Sequence, residues 1–277
     1  MYSKTIRVIS FVLVLVAVSA FASCNLLNGV EEESTEAETT ISALTEIPAT
    51  PAETLAYFNR VMNAIKAENP GVSSERKRNI KDVKAVSAKG EIPEVASIIS
   101  LAKGYMDVLG KKSETSEHGE NLSDFLPVKG SPLVSSLTLD DIVTATCVQN
   151  EDDDEYYTLT VVLKDVENPG PFSPIGKAFD LDIDKSTVLE QFQNYTDNVT
   201  VSDYSALYTG CSVTISILKS SDKVTNISYN KNVVVTSDVV FNGELAVWGD
   251  AVVSLTFTET KEYKKFVWEA PTEEAAD

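Results

Sequence analysis

The chain is 277 residues long and strongly acidic, with 42 Asp+Glu against 23 Lys+Arg and a formal net charge of -19. That balance disfavours a nucleic-acid partner, because phosphate binding is driven by Lys and Arg displacing counterions. With a single histidine, His118, two-histidine zinc motifs are excluded, and a Ser-His-acid triad would depend on that one residue in a hydrophilic loop.

The chain opens with Lys4 and Arg7 ahead of an uncharged run from Val8 to Ala20, the layout of a signal peptide. This run is shorter than the roughly 20 residues that a permanent membrane helix needs, so a cleavable segment is expected. Phe21-Ala22-Ser23-Cys24 then resembles the lipobox of bacterial lipoprotein precursors: Ala22 and Ser23 match it, and Phe21 stands where an aliphatic Leu is usual. The resemblance covers the leader alone. It implies removal of residues 1–23, a lipidated (palmitate-bearing) Cys24, and a membrane-anchored place in the bacterial cell envelope, outside the cytoplasm. The residues also allow an ordinary secretory signal cut at a neighbouring small residue. Loss of Lys4 and Arg7 takes the charge from -19 to -21, so attachment would come from acyl chains and not from a basic surface.

Residues 24–49 are rich in Glu, Ser, Thr and Ala and poor in aromatics. A stretch that buries so little reads as a disordered, self-repelling acidic tether. Thr50-Pro51-Ala52-Glu53 combines an N-cap threonine, a proline at the first helical position and a capping-box glutamate. A helix should follow, with Leu55, Phe58, Val61, Met62 and Ile65 on its apolar face and Arg60, Asn63 and Lys66 on others, and should stop at Asn69-Pro70-Gly71. The locally basic patch Arg76, Lys77, Arg78, Lys81 and Lys84 could meet lipid or cell-wall phosphates; it is read as a solvated loop or helix face neutralising the protein's own acids. A second helix is expected after Ile92-Pro93, with Val95, Ile98, Ile99, Ala102, Met106 and Leu109 in one stripe, ending at Gly110-Lys111-Lys112. Residues 113–121 read as a polar loop.

After a short helical turn at Leu137 to Ile142, the period becomes alternating. Tyr157, Leu159, Val161 and Leu163 share one face of a strand; Cys211, Val213, Ile215 and Ile217 repeat the pattern, as do Ala251, Val253, Leu255 and Phe257. Glu151 to Glu155, Ser220-Ser221-Asp222 and Asn242-Gly243 read as turns, the last as a tight hairpin. A Pro-rich region (Pro169, Pro171, Pro174) and a short helix at Ser186 to Gln193 interrupt the meander. Asp180, Asp182 and Asp184 copy three ligand positions of a calcium loop, but Lys185 replaces its glycine and Gln191 its final glutamate, so a solvent-facing strand edge is expected instead.

Two cysteines remain besides Cys24. Cys147 and Cys211 are a candidate disulfide, closing a loop of roughly 64 residues worth about 4 kcal/mol in the chain-entropy model, or else two buried thiols on strands. They are too far apart for a C-x-x-C redox motif, and no phosphate loop is present. The expected fold is α+β: N-terminal amphipathic helices packed on a curved, half-barrel-like antiparallel sheet of about six to eight strands. Residues 50–270 form a single domain in this reading, followed by a disordered tail, 271–277. In element order and export route this resembles LolA and LppX type lipoproteins, with no motif carried over. The expected function is non-enzymatic and without cofactor or metal: a membrane-anchored module binding a hydrophobic, lipid-like or amphipathic ligand, or alternatively a structural or interaction lipoprotein engaging another envelope protein.

Overall fold

Thr50 opens the first element of the computed structural model, which describes residues 46–97, 99, 112–150, 153–181, 185–193 and 198–269. The leader, Cys24, nearly all of the tether and residues 270–277 lie outside the described residues. In helix α1, Pro51–Glu68, the Thr50 side chain accepts from the Glu53 N–H while the Glu53 carboxylate accepts from the Thr50 N–H, a complete capping box. Asn69, at φ 47°, closes the helix in the left-handed conformation and donates to the Ile65 carbonyl. Leu55, Phe58, Val61, Met62 and Ile65 are all buried, as their spacing requires.

Beyond α1 the chain departs from the expectation of a second helix before any strand. The basic patch is a long strand, β1, Gly71–Ser87. β2, Gly90–Glu91, completes a hairpin with it. The polar segment after residue 111 begins with another strand, β3, Lys112–Ser116. Both β1 and β3 pair with neighbours in the sheet. Of the expected second helix, residues 93–97 are helical and Val95 and Ile99 are buried; residues 100–111 lie outside the described residues.

The remaining elements are a 3-10 turn at Leu139–Asp141, β4 (Ile142–Gln149), β5 (Tyr156–Leu163), β6 (Val166–Glu167), helix α2 (Pro174–Phe179), helix α3 (Lys185–Gln193), β7 (Val199–Tyr208), β8 (Ser212–Leu218), β9 (Lys223–Phe241) and β10 (Asp250–Val267). The described strands form one 10-stranded sheet in the order β2-β1-β10-β9-β8-β5-β4, with β3 added to β1, and β7 to β9 and β6. Each ladder is antiparallel. The long central strand β9 is what makes this order work. It pairs with β10 from Asn226 to Val240 on one side, while β8 takes its first half and β7 its second half on the other. Within the described sheet β4 pairs with β5 alone, so the sheet is open.

The expected alternation holds in β5, β8 and β10: Leu159, Val161 and Leu163, then Val213, Ile215 and Ile217, then Val253, Leu255 and Phe257 are buried. The link from β9 to β10 is longer than the hairpin expected at Asn242-Gly243. Gly243 does take a positive φ of 56°, but it starts a 3-10 turn, Gly243–Leu245, within a connection that runs to Asp250.

The polar side of α1 is occupied by backbone. Asn63 Oδ1 accepts from the Val134 and Ser135 N–H groups at 2.8 and 2.9 Å, and Asn59 Nδ2 donates to the Leu137 carbonyl at 2.8 Å. Lys66 Nζ donates to the carbonyls of Pro127, Val128, Ser131 and Leu133 at 2.8–3.1 Å. Residues 127–137 are thereby strapped to the helix. Its other side packs on β4, β5 and β9, and Tyr57 Oη and Arg60 both donate to Asp222 in the β8–β9 turn, at 2.9 and 2.8 Å. These bonds satisfy buried polar groups that would each cost about 1–3 kcal/mol if left bare.

Candidate functional site

Strand alternation decides where the basic patch goes. In β1, Ser74, Arg76, Arg78 and Ile80 share one face, and Ser74 and Ile80 are buried there. Glu75 and Lys77 fall on the other face, where Lys264 bonds Glu75 at 2.7 Å. On β10 the same inner face carries Phe257, Glu259, Lys261 and Tyr263, and on β9 it carries Ile227, Tyr229, Lys231 and Val233. Register sets Arg78 opposite Glu259 and Arg76 opposite Lys261, with Lys231 opposite Glu259 from the other side. A charged layer therefore interrupts a largely apolar sheet face.

Its members have different circumstances. Glu259 is held between Arg78, whose Nε lies 2.5 Å from Oε2, and Lys231, whose Nζ lies 2.6 Å from Oε1. Burial would raise the Glu259 carboxyl, but the two cations outweigh it and pull it down to about 2. Arg76 and Lys261 form no ion pair among the described residues. The Arg76 Nε is buried without a hydrogen-bond partner, and the Lys261 Nζ lies 4.7 Å from the centre of the Tyr263 ring. Burial lowers the Lys261 amine to about 8. Like charges facing each other on adjacent strands are destabilising, so this pair is a cost that the fold carries.

Above the layer is a cleft of about 760 Å³, bounded by β1, β9 and β10, by β3 and the residues that come after it, and by the end of α2. One wall is a run of edge-to-face aromatic rings, Phe125 to Tyr263 to Tyr229 to Phe179, with centroids 5.8, 5.8 and 5.7 Å apart. Tyr263 Oη donates to the Phe125 carbonyl at 3.1 Å, which fixes the ring. Glu114, Glu120, Asp124 and Asp180 also line the cleft, and Glu120 is occupied locally, accepting from Ser116 Oγ and the Glu117 N–H. Such a cleft can hold a molecule that has both an apolar body and a charged group.

The residues singled out in the sequence lie elsewhere. Cys24 is outside the described residues. Cys147 and Cys211 are both free thiols, and register explains why the candidate disulfide does not form. Cys147 on β4 faces Leu159, and Leu159 faces Ile215, four residues beyond Cys211. Two strand spacings and four residues of rise, about 10 Å and about 13 Å, far exceed the Cα separation of about 7 Å that a disulfide tolerates. Burial raises the Cys147 thiol to about 11, and it raises Cys211 too. Cys211 Sγ instead sits 3.5 Å from the Asn232 N–H nitrogen.

His118 lies just after β3, and its ring makes no hydrogen bond among the described residues. Asp180 is not on a strand edge: it caps α2 at φ 57°, while Asp182 and Asp184 lie outside the described residues. The described residues contain no group of three or more His, Cys, Asp or Glu arranged to hold a metal ion. None of their helices is long and apolar enough to cross a membrane.

Composition and spacing do not single out Glu259, Lys231 and Lys261. The signal for them is phase: Tyr229-Lys231-Val233 and Phe257-Glu259-Lys261-Tyr263 continue buried alternations with a charge at an inward position. No protein-family model matches the chain, and neither a curated protein nor a solved structure matches it.

Proposed function

We propose that this chain is an exported lipoprotein, anchored through lipid on Cys24, whose domain is a non-enzymatic binding module for an amphipathic ligand. The open sheet acts in this reading as a curved, half-barrel-like trough, and the ligand lies in the cleft above Arg76 and Lys261. The observation that carries the reading is the combination in one cleft of about 760 Å³ of an aromatic wall and cations free of ion pairs among the described residues. A purely apolar ligand is the poorer match, because it would strip water from those cations without replacing it. The leader supports the anchor, and the tether, a coil reaching several tens of ångströms, would let the module sample the membrane surface.

Two measurements test this. Metabolic labelling with a fatty acid should mark the wild type and not Cys24→Ala, and the mature chain should take up the fluorescent probe Nile red. Equal labelling of both chains would remove the anchor; no uptake of the probe would remove the binding module. A second reading, docking of another envelope protein, draws on the edge strand β4, where Val143 and Val148 are 66% and 55% exposed.

A further inference from the structure

We infer that the cleft is an acid-binding site, in which Arg76 and Lys261 together grip the carboxylate or phosphate head of a single-chain amphiphile. This rests on the binding-module reading and assigns the ligand's chemical class within it. Three observations converge. First, register places the two cations face to face across β1 and β10 on the inner side of the sheet, where opposed Cβ atoms stand about 5 Å apart, so both long side chains can reach one anionic group. Second, the neighbouring cations Arg78 and Lys231 are already committed to Glu259, whereas Arg76 and Lys261 form no ion pair among the described residues. Third, this occurs in a chain of net charge -19, where carboxylates are in excess and yet no described one closes on either cation. Glu114, on β3 opposite Ser74 and so one same-face position from Arg76, contributes a favourable field to both.

Recognition of an acid head by a planar guanidinium and an ammonium is charge-assisted and strong. The aromatic run from Phe125 to Phe179 lies next to it and offers an apolar surface to the body of the same molecule. Glu259 plays a positioning part: by holding Arg78 and Lys231 it leaves the two outer cations as the anion's partners.

The test compares decanoate with neutral 1-decanol as displacers of Nile red from the mature chain. The wild type should bind decanoate at least tenfold more tightly than decanol. Arg76→Gln combined with Lys261→Met should abolish that preference, Lys261→Arg should keep it, and Lys77→Gln, on the outer face of β1, should leave it unchanged. The wild-type comparison needs no variant, so it stands even where the double variant unfolds. Equal affinity for decanoate and decanol in the wild type, or a preference that survives in the folded double variant, would overturn the acid site while leaving the binding module in place. Inorganic phosphate displacing the probe as well as decanoate does would overturn the role of the apolar body. Absence of any Nile red uptake would instead defeat the binding-module reading itself.

Discussion

Arg76 and Lys261 stand directly opposite each other on β1 and β10, two cations facing inward with no ion pair to either among the described residues. One inward position along the strands, Arg78 and Lys231 converge on Glu259. The layer is therefore half neutralised and half open, and the two halves make different predictions.

The neutralised half governs acid stability. The Glu259 carboxyl is depressed from 4.5 to about 2 in the folded chain, so its contribution is present above the unfolded value and is lost as pH falls from about 4.5 towards 2. Glu259→Gln leaves Arg78 and Lys231 buried without their counterion. Breaking a buried pair in this way costs roughly 3–5 kcal/mol. Urea unfolding at neutral pH should show that loss, and the variant's stability should depend less than the wild type's on pH between 4.5 and 2.

The open half governs ligand affinity. An anion between Arg76 and Lys261 requires Lys261 protonated, and burial holds that amine at about 8 in the free chain. Above the ordinary carboxylic-acid range, where the ligand's own head is ionised, decanoate affinity should thus be full below that value and fall as pH rises above it. The charged groups around Lys261 are Arg76 and Arg78 on β1, Glu114 on β3, Lys231 on β9 and Glu259 on its own strand, with Glu120, Asp124, Lys129 and Asp180 also lining the cleft. Lys261→Arg should remove the decline. Titrations at pH 6, 8 and 10 are the check, and an identical decline in that variant would assign the effect to another group.

Lys66 organises the strap on the polar side of α1. Four carbonyls converge on one ammonium, and Lys66→Met would leave them to each other and to an apolar side chain. The expected cost is about 1–3 kcal/mol, concentrated in residues 127–133. Hydrogen exchange should show faster amides in that segment, with those of β9 and β10 little changed.

The thiols of Cys147 and Cys211 are separate and raised by burial. A reducing agent should leave the melting temperature unchanged. Thiol titration of the native chain should be slow and should become complete only in denaturant; a Cys147–Cys211 cross-linked peptide from exported protein would contradict the strand register.

Much of this architecture can be read from periodicity. Helix α1 announces its start through Thr50 and Glu53, and β5, β8 and β10 announce themselves through strict alternation, because one face of each is buried. β1 is hidden for a physical reason. Arg76 and Arg78 occupy the inward positions while Glu75 and Lys77 occupy the outward ones, so both faces are charged and no alternation of polarity survives. A bulge at Asp82, φ 55°, then shifts the phase of the remainder. The polar side of α1 misleads similarly: Asn63 and Lys66 have the composition of a solvated face, yet they bond a strap of backbone that sequence does not reveal. The cleft is legible only once β9 and β10 are aligned, since Lys231, Glu259 and Lys261 come together through register and not through spacing along the chain.

The acid-binding cleft is tested most directly by native mass spectrometry of the mature chain purified from an exporting bacterium, with organic extraction of whatever it carries. A bound acidic amphiphile is expected on the wild type, and its absence is expected from the folded Arg76→Gln, Lys261→Met double variant. A wild-type chain that carries no amphiphile and takes up neither Nile red nor decanoate would contradict the cleft's assignment.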